Sequence, residues 1–230
     1  MAMIEITTQQ VNFDSNGGNT PGYLAQPAQG TGPGVVVIQE WWGLVLHIQE
    51  VCERFARQGF VALAPDLYHG QAASEPDEAR KLLMEMDREQ AVQEIVAAAG
   101  YLKGLAQVSP KKVGVVGFCM GGMLAVTTAA SSDQMDAVVA FYGLPRDLSL
   151  ARRIQSPLLG LFAEHDHGFS PEVVKSFEAE LAKSSTQHEI HIYPGTQHAF
   201  FNDTRPNIYA PQAAQDAWER TLRWFQQYLA

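Results

Sequence analysis

Three side chains in this sequence are of the types that acyl transfer needs, and each falls just past an apolar run. Cys119 is the centre of Gly117-Phe118-Cys119-Met120-Gly121-Gly122. The spacing is that of a nucleophile elbow, G-x-S-x-G, with cysteine in the serine position. A nucleophile held in a tight strand-to-helix turn needs small residues two before and two after it, because a Cβ there meets the sheet or the helix. The turn sets the thiol at the amino end of a helix, where the dipole and free N–H groups favour thiolate. A thiolate nucleophile needs a base, and the base needs an acid to orient it. Asp166 follows the strand pattern ending at Phe162-Ala163. His198 follows the one ending at Tyr193, in Pro194-Gly195-Thr196-Gln197-His198. The alternative for Cys119 is a small buried hydrophobe beside a glycine-rich packing contact.

Glu40 ends the apolar run Gly34-Val35-Val36-Val37-Ile38 and precedes Trp41-Trp42-Gly43. A carboxylate at the end of a buried strand is costly unless it is used. It is expected near the thiol, where it accepts or holds the thiol proton; the alternative is a solvated loop acid. The oxyanion hole follows from the elbow. One donor is the backbone N–H of Met120, and the second is that of Trp41, in the loop after the first core strand. Trp42, Tyr68, Phe200 and Phe201 are the pocket candidates. His165 and His167 flank Asp166 but make a poor chelate as loop neighbours, so no metal is expected. His188 and His191 read as surface or edge positions of a strand, while His47 and His69 are ambiguous.

The elements that must bring these groups together alternate. Strands are expected at 34–38, 60–64, 113–116, 137–141, 158–162 and 188–193. Helical patterns cover Ile48, Val51, Cys52 and Phe55, then 75–104, 120–130, a segment starting at Ser170-Pro171-Glu172, and Ala214 to Leu229. Cys52 lies on an inward stripe and reads as core. Residues before 31 are polar and turn-rich, and read as an edge hairpin and a loop. Parallel strands need helical crossovers, so the pattern predicts a mostly parallel sheet covered on both faces, with chemistry past the carboxyl ends of its strands.

The chain has 230 residues, 46% hydrophobic and 18% charged, with a net charge of −9. These values suit one soluble domain over 1–230 and argue against nucleic acid as a partner. No apolar stretch approaches a membrane span, and no secretory signal is visible at the start, so the cytoplasm is the default expectation. Two cysteines build no disulfide framework. The sequence leaves the oligomeric state open.

Taken together, the residues resemble the dienelactone hydrolases of the α/β-hydrolase superfamily. The resemblance rests on Val37-Ile38-Gln39-Glu40-Trp41-Trp42-Gly43, Ala64-Pro65-Asp66-Leu67-Tyr68, Val113 to Gly122 with the cysteine elbow, Asp166 to Pro171, and Tyr193 to Phe200. It implies an α/β-hydrolase fold, a Cys119–His198–Asp166 triad with Glu40 as the acid near the thiol, and hydrolysis of a small ester or lactone without a cofactor. Members that bind a substrate carboxylate carry an arginine shortly after the catalytic histidine. Here Ala199, Phe200, Phe201 and Asn202 follow His198, Arg205 is the next arginine, and Arg80 does not line up. A less charged ester or lactone is therefore expected, against an apolar wall of Trp41, Trp42, Phe200 and Phe201. The competing reading is a non-hydrolytic small-molecule binding or sensing protein on the same fold. A peptidase ranks last, for want of a serine nucleophile and an added domain.

Overall fold

The computed structural model describes residues 4–230. The first two strands, β1 (Ile6–Ser15) and β2 (Gly18–Pro27), form the expected hairpin around Asn16 and Gly17, both at positive φ. The core strands are β3 (Gly32–Ile38), β4 (Val61–Pro65), β5 (Val108–Phe118), β6 (Ala137–Phe141), β7 (Leu158–His165) and β8 (His188–Gln197). The order across the single sheet is β1-β2-β4-β3-β5-β6-β7-β8. β1/β2 and β2/β4 pair antiparallel, and every pair from β4/β3 to β7/β8 is parallel.

Side chains alternate across β3, as a strand buried on both faces requires. Val36 and Ile38 face one layer, whose helices are α3 (Arg88–Gly104), α4 (Met120–Ser131) and α5 (Pro171–Leu181). Val35 and Val37 face the other, covered by α1 (Leu46–Ala56) and α6 (Pro211–Leu229). Cys52 is fully buried among the latter, as its stripe predicts. A short 3-10 helix, Leu148–Arg153, links β6 to β7. Among the described residues no helix is long and apolar enough to cross a membrane.

Several boundaries differ from the sequence pattern; β8, for one, runs past Tyr193 to Gln197. The helical stretch 75–104 is two helices, α2 (Pro76–Glu85) and α3, because Asp87 caps α3 by accepting from the N–H groups of Glu89 and Gln90. An N-cap of that kind fixes a helix start more firmly than continuing periodicity argues against one. Pro110 does not end an element; β5 runs through it from Val108, and its first residues lie beyond the parallel pairing with β6.

Register decides where the chemistry collects. Ile38 pairs with Gly117, Phe118 with Phe141, Phe141 with Leu161, and His165 with Gln197. The carboxyl ends of five neighbouring strands thereby lie along one edge, with β7 running four residues past the end of β6 and β8 alongside it. Glu40, Cys119, Tyr142, Asp166 and His198 each stand one or two residues beyond such an end, along one rim of the sheet.

Candidate active site

Cys119 joins β5 to α4 with φ +56 and ψ −114, a left-side conformation that non-glycine residues seldom adopt. Strain of this kind persists only where the surroundings over-determine it. They do so here. A Cβ on Gly117 would overlap the carbonyl of Gly121, and one on Gly121 would come within 2.5 Å of the Ile38 carbonyl oxygen and 2.6 Å of that of Gln39. The first glycine lets α4 turn back onto β5, and the second lets α4 press on the end of β3. The Cys119 N–H is tied to the Phe141 carbonyl at 3.0 Å, which anchors the elbow to β6.

The two expected oxyanion donors flank that contact between α4 and the end of β3 in the sequence. Met120 opens α4, so its N–H belongs to a first turn without intrahelical acceptors. Trp41 follows β3 and lines the same cleft as Cys119.

His198 and Asp166 meet as the order of residues predicts. Asp166 Oδ2 lies 2.6 Å from His198 Nδ1, and Asp166 Oδ1 accepts from the N–H groups of Gly168 at 2.8 Å and Phe169 at 3.1 Å. Burial works to raise the Asp166 pKa, but the His198 hydrogen bond and charge, with those two N–H groups, hold it below the usual value. For His198 burial works downward, and hydrogen bonds with Asp166 and Cys119 override it, raising the imidazole to about 10. The sign of the linkage follows. A raised imidazole contributes stability that is complete below its ordinary pKa and fades as pH climbs through about 10.

Glu40 is buried, with 2% exposure. Its Oε2 accepts from Asn202 Nδ2 at 2.7 Å. Burial raises its pKa, opposed by the Asn202 hydrogen bond, by the charges of His198 and Arg205, and by Tyr142. Gln39, next to it, accepts from the Leu67 N–H at 3.3 Å and so ties the loop after β3 to the loop after β4. In that second loop Asp66 accepts from the N–H groups of Tyr68 and Gly70. The loop turns the Tyr68 hydroxyl onto the Met120 sulfur at 3.4 Å.

The cleft over Cys119 has a volume of about 450 Å³ and is lined by Trp41, His165, Asp166, His167, Gly168, Phe169, Gln197, His198, Arg205 and Ile208. Phe200 and Phe201 are not on its wall. They are 0% and 2% exposed and pack with Phe118, Phe141 and Tyr142 beneath it. The physical reason is the turn that begins at Ala199, φ +65, which folds both rings inward. Trp42 is half-buried and stacks edge-on against Trp41 at 5.1 Å. Tyr68 is buried, with its hydroxyl toward the elbow helix.

Two residues of this site were not legible as such. Arg205 lies seven positions after His198, yet the segment closes on itself through Ala210 N–H to Phe200 O at 3.0 Å. That closure carries the guanidinium over the Trp42 ring, 5.5 Å from its centroid, and into the cleft. Asn202 is the partner of Glu40, which no local spacing signals. His47, by contrast, lines no part of the cleft; it is buried in α1, 3.2 Å from Asp203 Oδ1. Arg54 of the same helix pairs with the other carboxylate oxygen, so α1 clamps the segment that bears Asn202 and Arg205. His165 and His167 are exposed at the cleft mouth.

Known proteins bear the same arrangement of chain. Residues 20–229 match the profile of the Dienelactone hydrolase family. The chain is 43% identical to "Protein usf" of Aquifex pyrophilus, over 96% of this chain and 99% of that one. It is 39% identical, with the same coverage, to a protein of Aquifex aeolicus (strain VF5) named "Putative carboxymethylenebutenolidase". A Klebsiella pneumoniae crystal structure named as that of a "Putative Dienelactone Hydrolase" superposes with a TM-score of 0.89 at 30% identity, over 97% of this chain and 100% of that one. Strand order, rim and sequence agree: the chain belongs to the dienelactone hydrolase family of α/β-hydrolases, and is a hydrolase of the carboxylic ester and lactone class.

Proposed function

We propose that this chain hydrolyses small carboxylic esters or lactones through a Cys119–His198–Asp166 triad and a thioester acyl-enzyme. The observation that carries the reading is the 2.6 Å contact of His198 Nδ1 with Asp166 Oδ2 in the cleft that Cys119 also lines. With Nδ1 occupied by Asp166, the other ring nitrogen is left for the sulfur. The reactive pair is imidazolium and thiolate. The thiolate attacks the carbonyl carbon, and the N–H groups of Met120 and Trp41 take the charge on the oxygen. Such a donor is typically worth about 10²–10³-fold in rate. The C–O bond breaks as His198 gives its proton to the leaving alkoxide. Neutral His198 then draws a proton from water, hydroxide adds to the thioester, and the acid leaves with Cys119 again a thiolate. Glu40 accepts the proton of any thiol form and returns Cys119 to the reactive state.

Arg205 changes the expected substrate. The wall predicted from Phe200 and Phe201 is core, and a guanidinium stands at the cleft instead. An ester or lactone bearing a carboxylate fits this cleft better than a purely apolar one. A charge-assisted hydrogen bond contributes about 1.5–3 kcal/mol, so Arg205→Met should lower the ratio of kcat/KM for a carboxylate-bearing ester over a neutral aryl acetate by about tenfold or more. An unchanged ratio would remove Arg205 from substrate binding.

The reading is also tested by alkylation. Iodoacetamide should label Cys119, which lines the cleft and is half-buried, well before Cys52. Cys52, fully buried and with its thiol pushed upward by that burial, should stay unlabelled in the folded protein. Labelling of Cys52 as fast as Cys119, or no labelling of Cys119, would count against Cys119 as the nucleophile.

A further inference from the structure

The rim carries one more group that neither motif nor spacing points to. Tyr142 is the first residue past β6 and is 0% exposed, with φ +38. Its N–H is fixed to the Leu161 carbonyl at 2.9 Å. On the next residue, Gly143, a Cβ would strike the Cys119 carbonyl oxygen, so this backbone lies directly against the elbow. The Tyr142 ring stands edge-on to His198, with centroids 5.0 Å apart. Its other neighbours are phenylalanines: Phe118, Phe141 and Phe200. A phenylalanine would fill the same space without burying a hydroxyl, and an unsatisfied buried hydroxyl is costly. The oxygen therefore calls for a use.

Among the described residues, the Tyr142 hydroxyl and Glu40 Oε1 have no hydrogen-bond partner, although both are shut off from water. Glu40 Oε2 is already taken by Asn202. The groups that face Glu40 are Asn202, His198, Arg205 and Tyr142. Of these, only the phenol can serve the free oxygen in both of its ionisation states. A hydroxyl donates to a carboxylate and accepts from a carboxylic acid, whereas an amide N–H₂ or a guanidinium can only donate.

We propose that Tyr142 is a positioning residue of the reaction: its hydroxyl pairs with Glu40 Oε1, so that Asn202 and Tyr142 together hold the carboxyl beside His198 and leave Oε1 as the oxygen that takes a proton. The inference rests on the role given above to Glu40. When Cys119 is in its thiol form, the S–H bond breaks and an Oε1–H bond forms, with no change of oxidation state. The Tyr142 hydroxyl then turns from donor to acceptor and keeps the contact. Glu40 and Tyr142 do act on each other's titration, the phenol favouring the carboxylate and the carboxylate holding the phenol protonated.

The test is a cycle of Tyr142→Phe, Glu40→Gln and the double variant, read as pH profiles of kcat/KM on an aryl ester and as melting temperatures. Phenylalanine keeps the ring and removes only the oxygen, so the variant retains the packing of its neighbours. Losing a donor to a carboxylate raises the carboxyl pKa. Tyr142→Phe should therefore move the acid limb of kcat/KM upward by about one pH unit, a loss of about tenfold on that limb, with the plateau little changed. In the Glu40→Gln background the same substitution should leave the profile where it is. An acid limb that stays in place in Tyr142→Phe, or moves equally in both backgrounds, overturns the proposal. If Glu40→Gln alone matches wild type at every pH, the role given to Glu40 fails. The melting temperatures then decide the pairing, which non-additive shifts support and additive ones overturn.

Discussion

Cys119→Ala should abolish turnover of p-nitrophenyl acetate, with kcat falling by at least about 10⁴-fold while the oxyanion donors leave a small residual rate. The variant isolates the chemistry unusually well. Cys119 holds φ +56, a conformation as unfavourable for alanine as for cysteine, and the glycines that impose it are untouched. Backbone strain is therefore equal in the two proteins, and a loss of rate reports the sulfur. Intact mass adds a second readout. Wild type stopped during turnover of a slow ester should carry one acyl group, and Cys119→Ala none. Retained turnover, or an acyl group on another residue, would remove the thioester pathway.

How much of this was legible before coordinates follows from the range over which each signal acts. The elbow was legible because its constraint is local: Gly117 and Gly121 are needed within four residues of chain, whatever surrounds them. Asp166 and His198 were legible because parallel strands point the same way, so groups just past their carboxyl ends share a rim. Glu40 was legible as a charge where burial penalises one. Arg205 was not, because its place depends on the closure of the segment from Phe200 to Ala210 and not on distance from His198. Phe200 and Phe201 were misplaced for the same reason: composition marks them apolar, but only the turn at Ala199 decides between a cleft wall and a core. The break between α2 and α3 was hidden because Leu82, Leu83 and Met86 continue an apolar face across it. Tyr142 gave no signal, since Phe141-Tyr142-Gly143 reads as the end of a buried strand and nothing more.

The partners at the rim also explain why the site tolerates buried charge. Asp166 and Glu40 are held by partners that differ in kind: a histidine and two backbone N–H groups, and an amide. Removing a partner from such a group costs more than the contact is worth, because the remaining charge stays buried. Substitutions that keep shape but alter charge or tautomer are therefore more informative here than truncations.

Asp166→Asn is the sharpest of these, and its expected effect is the second largest. The side chain keeps its volume. Its oxygen can still accept from the Gly168 and Phe169 N–H groups, which turns the amide N–H₂ toward His198 Nδ1. Two donors cannot share that contact, so Nδ1 must lose its proton and become the acceptor. The remaining proton moves to the nitrogen facing Cys119, and a neutral imidazole in that tautomer cannot take a proton from the thiol. The expected loss is about 10²–10⁴-fold in kcat, with KM changed far less, because the substrate contacts of the cleft are intact. The loss of a negative charge also lowers His198 from its raised value. The pH profile of Cys119 alkylation should then differ from that of wild type, because less positive charge on His198 acts on the sulfur. Both effects have one cause and must appear together. A slow Asp166→Asn enzyme whose alkylation profile matched wild type would place the defect outside the His198–Cys119 pair. A variant within threefold of wild-type kcat would strike Asp166 from the triad.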